Sequence, residues 1–315
     1  MNINKKCKCK STKLNFLGQY SCEITPLPKC LDGHSLIMNR KNELMVVGGH
    51  EFVYEDKMFQ DCLVYQNKEW VHHSTLNSPK YHAITISMPN GIYVFGQKTL
   101  ADTRTTAEFL GCNEHQWKEL DTNIPTPGLL LSDGVAISDE EIIFTGGKDI
   151  NLSLSHRISR FNVKMNDWTL DGNMFEIRWC HKSFVFNDKV IVCGGYNYSM
   201  SFDPDSNDFL QFGPKVLNST EIITVPRTEV RRGGNLNEAR FNHRMGILVI
   251  QGVPTLAAFG GWSGENTWIS SVELWDDSNE CWIMSEMSLP EFRYAFASCS
   301  SVENNVKGTS ASKIY

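Results

Sequence analysis

The chain has 315 residues, 41% of them hydrophobic, so it is long enough to bury a large core. With 30 Lys and Arg against 36 Asp and Glu, its net charge of −6 argues against a nucleic-acid or anionic-membrane surface, which needs clustered excess cations. No run approaches 18 apolar residues, and the basic start Met1 to Lys10 has no apolar stretch behind it, so neither a membrane span nor a secretory signal is expected.

In chain order, residues 1–12 read as a basic flexible tail and 13–300 as one repeat domain. Residues 301–315 read as a closing strand or a second tail. Self-similarity organises the middle. Apolar runs close on glycine pairs at Gly48-Gly49, Gly146-Gly147, Gly194-Gly195 and Gly260-Gly261, with Phe95-Gly96 as a degenerate second copy. Taking Gly96 as the second member of its pair, the spacings are 47, 51, 48 and 66 residues. Trp70, Trp117, Trp168 and Trp282 each follow their glycine by 21 residues, so two independent markers keep one register. The fourth unit lacks the tryptophan and offers Phe202 and Phe209 instead, seven apart like Phe161 and Trp168. A third marker, His34, His82, His181 and His243, heads the apolar runs, with Asp133-Gly134 standing there in the third unit. Each unit therefore reads as four short strands.

These units resemble the kelch repeat. Arg178-Trp179-Cys180-His181 through Gly194-Gly195 matches its first half, and Ser271 through Trp282 its second. The resemblance implies an all-β propeller of four-stranded blades. Five internal units, with a closing unit assembled from the strands of both termini, make six blades, an arrangement that leaves no open sheet edge. The stretch from Phe209 to His243 is about two dozen residues too long. The extra length is placed at about 213–238, as a loop or hairpin carrying Arg227, Arg231 and Arg232.

Function is sought among the loops that follow the glycines and the segments that precede each first strand, which emerge on one rim of such a meander. The candidates there are Tyr54, Asp56, Arg178, Trp179, Tyr196, Arg240, Trp262, Trp268 and Arg293. Aromatic and arginine side chains carry most interface energy. The kelch resemblance implies a protein or peptide partner, acidic segments included, and a chain monomeric as an isolated domain. No catalytic motif, metal-ligand spacing or phosphate loop is present, so no catalytic residue, metal or cofactor is assigned. The four repeated histidines are read as structural. The alternative is a carbohydrate-acting propeller enzyme, mutarotase- or oxidase-like, with the tryptophans of the fifth unit stacking on a sugar, or an extracellular binding module. Ten cysteines without a pairing framework fit reduced thiols and a cytoplasmic chain. Three Asn-x-Ser/Thr sequons keep a secreted origin open.

Overall fold

The computed structural model describes residues 13–14, 20–21, 25–29, 31–51, 57–97, 105–124, 129–148, 154–203, 208–264, 267–289, 300–301 and 313–314. All regular structure among them is β. The chain divides into two compact units, Met1–Asp121 with Gly246–Pro254 and Phe296–Tyr315, and Thr122–Met245 with Thr255–Ala295.

Among the described residues five four-stranded sheets carry the repeat. In the first unit, the first blade is Ser35–Met38, Leu44–Val47, Asp61–Gln66 and Glu69–Thr75. The second blade is Tyr81–Met88, Gly91–Gln97, Thr105–Gly111 and Lys118–Leu120. In the second unit, the third blade is Asp133–Ala136, Glu141–Thr145, Arg157–Asn162 and Asp167–Asn173. The fourth is Lys182–Phe186, Lys189–Cys193, Thr220–Thr224 and Glu229–Gly233. The fifth is Arg244–Ile250, Val253–Phe259, Ser271–Asp276 and Cys281–Ser288, its last three strands chiefly in the second unit.

The second strand of each blade holds the core. Met45, Val46, Ile142, Ile143, Val190, Ile191, Ala257 and Ala258 are all buried. A strand covered on both faces reads as a continuous apolar run. The fourth strands instead mix exposed and half-buried positions, as edge strands do.

Each complete glycine pair takes positive φ at both positions, +64° and +99° at Gly194 and Gly195. A Cβ on Gly194 would drive into the carbonyl oxygen of Arg240, and Gly195 N–H donates to that same oxygen at 2.8 Å. The pair thus lets one blade's turn approach the backbone of the next. A second set of backbone bonds runs through the second unit. Cys180 N–H donates to Leu131 O, and Asn242 N–H to Cys180 O, both at 2.9 Å. Leu131, Cys180 and Asn242 share left-handed φ between 50° and 57°.

Three expectations change. Val94 pairs with Glu108 as Ala258 pairs with Glu273, which puts Gly96 in the first glycine position and Gln97 in the second. Gln97 continues the strand where the other pairs turn away. In the fourth blade, Phe202 and Phe209 pair with each other in a separate hairpin, Tyr196–Asp203 with Asp208–Val216. The blade's own third and fourth strands follow it, so the additional element precedes residue 217. Arg231 and Arg232 lie on the blade's outer strand. In the third unit Ser132, not Asp133, holds the histidine position: Ser132 crowds Gly147 as His181 crowds Gly195.

Two further small sheets complete the described residues. One joins Leu31–Asp32, His50–Glu51 and Lys57–Met58. The other, in the first unit, runs Tyr20–Ser21, Lys13–Leu14, Lys313–Ile314, Ser300–Ser301, with Leu14 and Ser300 both opposite Ile314. Its strands of two residues fall short of a full blade, so among the described residues there are five full blades where six were expected.

Candidate functional site

The nine rim candidates separate into three groups. Tyr54, Asp56 and Arg293 lie outside the described residues. Arg178 and Arg240 are fully buried and bind their own blades. Trp179, Tyr196, Trp262 and Trp268 come together in the second unit.

Burial removes the two arginines from any partner surface. Arg178 donates through Nη1 to the carbonyls of Gly194 (2.8 Å) and Ser219 (3.1 Å), and through Nη2 to Glu221 Oε1 at 2.8 Å. Arg240 repeats this with Gly260 O at 3.0 Å, Ser271 O at 3.2 Å and Glu273 Oε1 at 2.8 Å. The carboxylates accept backbone N–H groups as well, Phe175 and Glu176 on Glu221, Asn237 and Glu238 on Glu273. Each buried pair, with its carboxylate and both arginine Nη atoms hydrogen-bonded and its arginine Nε without a partner, ties the segment before the blade's first strand to its third. In the second blade Lys80 and Glu108 do the same at 2.5 Å, both side chains fully buried. The carboxylates are the part that sequence reading missed. A signal existed: Glu108 and Glu273 each lie nine residues before a blade tryptophan, and Asn77 and Asn237 three before the cation.

The repeated histidines of the second unit belong to the core. His181 Nε2 bonds Thr145 Oγ1 at 2.8 Å, and His243 Nε2 contacts Cys193 Sγ at 3.4 Å. Burial, reinforced by the neighbouring Arg178 and Lys182, holds His181 well below the ordinary histidine pKa, and burial with Arg240 and Lys182 does so for His243. Burial likewise pushes the thiols of Cys62, Cys180 and Cys193 up to about 12. These three, with Cys112 and Cys281, are free cysteines.

The tryptophans of the repeat also reach outside their own hairpins. Trp117 Nε1 donates to Ser74 Oγ at 3.0 Å, Trp168 to Thr122 Oγ1 at 2.9 Å, and Trp282 to Thr220 Oγ1 at 2.9 Å. In each case the indole fills the space beside the preceding blade or linker and its polar end is satisfied there.

What remains is an aromatic row. In the fourth and fifth blades the residue three places before the first strand pairs antiparallel with the residue after the glycine pair, Trp179 with Tyr196 and Phe241 with Trp262, and Trp262 pairs in turn with Trp268. Ring centroids follow at 4.9 Å for Trp179 to Tyr196, 4.7 Å to Phe241, 5.2 Å to Trp262 and 5.8 Å to Trp268. Lys148, which follows the third blade's glycine pair, places Nζ 4.9 Å from the Trp179 ring centre. Phe241 is the buried member of the row and Trp268, 45% exposed, the exposed one. In the third blade the corresponding bridge joins Leu130 and Lys148, so the fold itself does not need aromatic rings at these positions. Phe241 is the member sequence reading passed over; it stands in the position of Trp179.

Repeated four-stranded blades joined by glycine turns define a β-propeller. A chain described as "Structure of YjhT" superposes with a TM-score of 0.69 over 85% of this chain and 88% of that one, at 12% identity, and so shares the fold. No family model matches the chain. Kelch-like protein 38 of Rattus norvegicus is 25% identical over 205 residues, 62% of this chain and 33% of that protein. Alpha-scruin of Limulus polyphemus is 28% identical over 161 residues, 50% and 16% of the two chains, and beta-scruin 26% over 131 residues, 42% and 13%. This chain therefore spans about a third of the Kelch-like protein and under a fifth of either scruin. With the repeat and the fold together, the chain is a kelch-repeat β-propeller.

Proposed function

We propose that this propeller is a protein-interaction module that engages a protein or peptide through the glycine-turn rim of its third to fifth blades. The observation that carries the reading is the aromatic row from Trp179 to Trp268, whose rings exceed what the blades require. Exposed aromatic clusters on a rigid scaffold are the usual anchors of interfaces. Tyr54, Asp56 and Arg293 remain partner-binding candidates in this reading. Among the described residues no three of His, Cys, Asp and Glu are grouped to hold a metal, and no helix is long and apolar enough to cross a membrane.

A photo-reactive benzoylphenylalanine at Trp268, and in a second variant at exposed Ile283 on the outer strand of the fifth blade, tests the rim. Partner capture at 268 and not at 283 is the expected result. Equal capture at both positions would overturn the choice of surface.

A further inference from the structure

The way the rings meet narrows the partner. Consecutive rings are inclined to one another, by 82° at Trp179 and Tyr196, 54° at Tyr196 and Phe241, and 49° at Phe241 and Trp262. Only Trp262 and Trp268 approach parallel, at 22°, and these two already stack on each other. The row therefore offers edges and slots rather than one open plane. A sugar ring needs a flat, open ring face to stack on. A polyproline II chain presents ridges at regular intervals, and it has little conformational freedom left to lose on binding.

Charge distinguishes the ends. Lys148 sits over Trp179 at one end. The exposed indole of Trp268 forms the other. Resting on the interaction reading above, we propose that the row is a groove for a proline-rich segment of a partner protein in the polyproline II conformation, with a carboxylate side chain placed at Lys148. Centroid steps of 4.7 to 5.8 Å bound the row at no more than about six residues of such a chain at ~3.1 Å each. Phe241 is buried, so the segment lies along the rim and does not thread into the blade.

The third blade supplies the internal contrast. Its bridge of Leu130 with Lys148 keeps the backbone pattern of the other two while offering no ring. The aromatic series ends at that blade, and the cation takes over where it ends.

The test is an anisotropy titration of the full chain with four labelled peptides of equal length. One alternates no residue but proline between terminal glutamates; one replaces proline with Gly and Ser; one replaces glutamate with lysine; one replaces both. A β-linked glucose hexasaccharide competes in a further arm. The acidic proline peptide binds most tightly, and the Gly-Ser peptide about tenfold more weakly, because it must be ordered on binding. Trp268→Ala weakens the proline peptide about fivefold or more, as loss of an aromatic anchor does. Lys148→Glu reverses the preference between the glutamate and lysine peptides. Trp268 is exposed and Lys148 half-buried, and unchanged thermal unfolding of the variants confirms that the fold is intact. Equal binding of the Gly-Ser peptide, displacement by the hexasaccharide, or no binding at millimolar peptide overturns the proposal. If a benzophenone at position 268 captures a partner that the proline peptide does not displace, the rim reading stands and the polyproline assignment falls.

Discussion

The fourth and fifth blades differ from the third at two positions. Where the fourth and fifth have Arg178 with Glu221 and Arg240 with Glu273, the third has Leu129 and Ser159. Ser159 occupies the carboxylate position by register, since it pairs with Phe144 as Glu273 pairs with Ala258. In the first blade the same two positions are Leu31 and Leu63, the latter opposite Val46. Cation and carboxylate are thus both present or both absent in a blade. That is the pattern expected when each buried charge is tolerable only with its partner, while a neutral pair is an equally good solution. The second blade shows an intermediate chemistry. Lys80 reaches Glu108 and Ser78, whereas the arginine fork additionally clamps the carbonyl of the glycine pair.

The largest effect that would sharpen this contrast comes from breaking one pair. Arg240→Leu alone leaves Glu273 buried and uncompensated and costs about 3–5 kcal/mol in urea unfolding. Adding Glu273→Ser, which copies the third blade, recovers a large part of that loss. A double variant as unstable as the sum of the singles would show that the blades are not interchangeable at these positions.

Next in size is the glycine turn. Gly194→Ala combines a left-handed φ with a clash against Arg240 O and His243, and costs about 2–4 kcal/mol. Gly252→Ala, at φ +83° with nothing within 4 Å of the new Cβ, costs about 1–2 kcal/mol from backbone strain alone. Equal losses would mean that blade-to-blade approach is not what the pair provides.

Acid should separate the blades as well. His181 and His243 stay neutral in the fold, so below a pH of about 6.5 the unfolded chain takes up protons that the folded chain refuses. Stability is flat in this respect above that pH and falls below it, by up to about 1.4 kcal/mol per pH unit for each histidine. The third blade, with Ser132 in the same position, adds nothing to this slope. His243→Gln, followed by denaturant unfolding between pH 7 and pH 5, removes about half of it.

The smallest expected change is Trp168→Phe. It loses the hydrogen bond to Thr122 and some packing on Phe144 and Phe161, worth about 1–2 kcal/mol. A loss well above about 2 kcal/mol would show that the third blade, which lacks the buried pair, depends on its tryptophan more than one hydrogen bond and a packing change account for.

Much of this was legible because it rests on residue types with few alternatives. Positive φ at two successive positions selects glycine, and a large gap beside the neighbouring sheet selects tryptophan, so both recur visibly. The paired carboxylates were not legible, because a lone Glu in a strand reads as a solvent-facing residue until its cation is known. The fourth blade misled for a different reason. Phe202 and Phe209 imitate the spacing of Phe161 and Trp168, but they stand opposite each other across an inserted hairpin, where the same spacing arises outside the blade. The rings of Trp179, Tyr196, Trp262 and Trp268, which lie together in the structure, share equivalent places in the repeat, and that much the sequence displays. Arg178 and Arg240 were misassigned because the same segment points one residue inward and the next outward, an alternation that position in a loop does not reveal.

The hairpin from Tyr196 to Val216 enters immediately after Gly195, yet Gly195 still donates to Arg240 O and Asn242 still donates to Cys180 O. The bonds that set the spacing between blades are therefore independent of what is spliced in at the rim. Such a scaffold can lengthen or exchange its surface loops without renegotiating its interior. A foreign binding segment grafted between Tyr196 and Leu217 would inherit a prebuilt anchor at both of its ends.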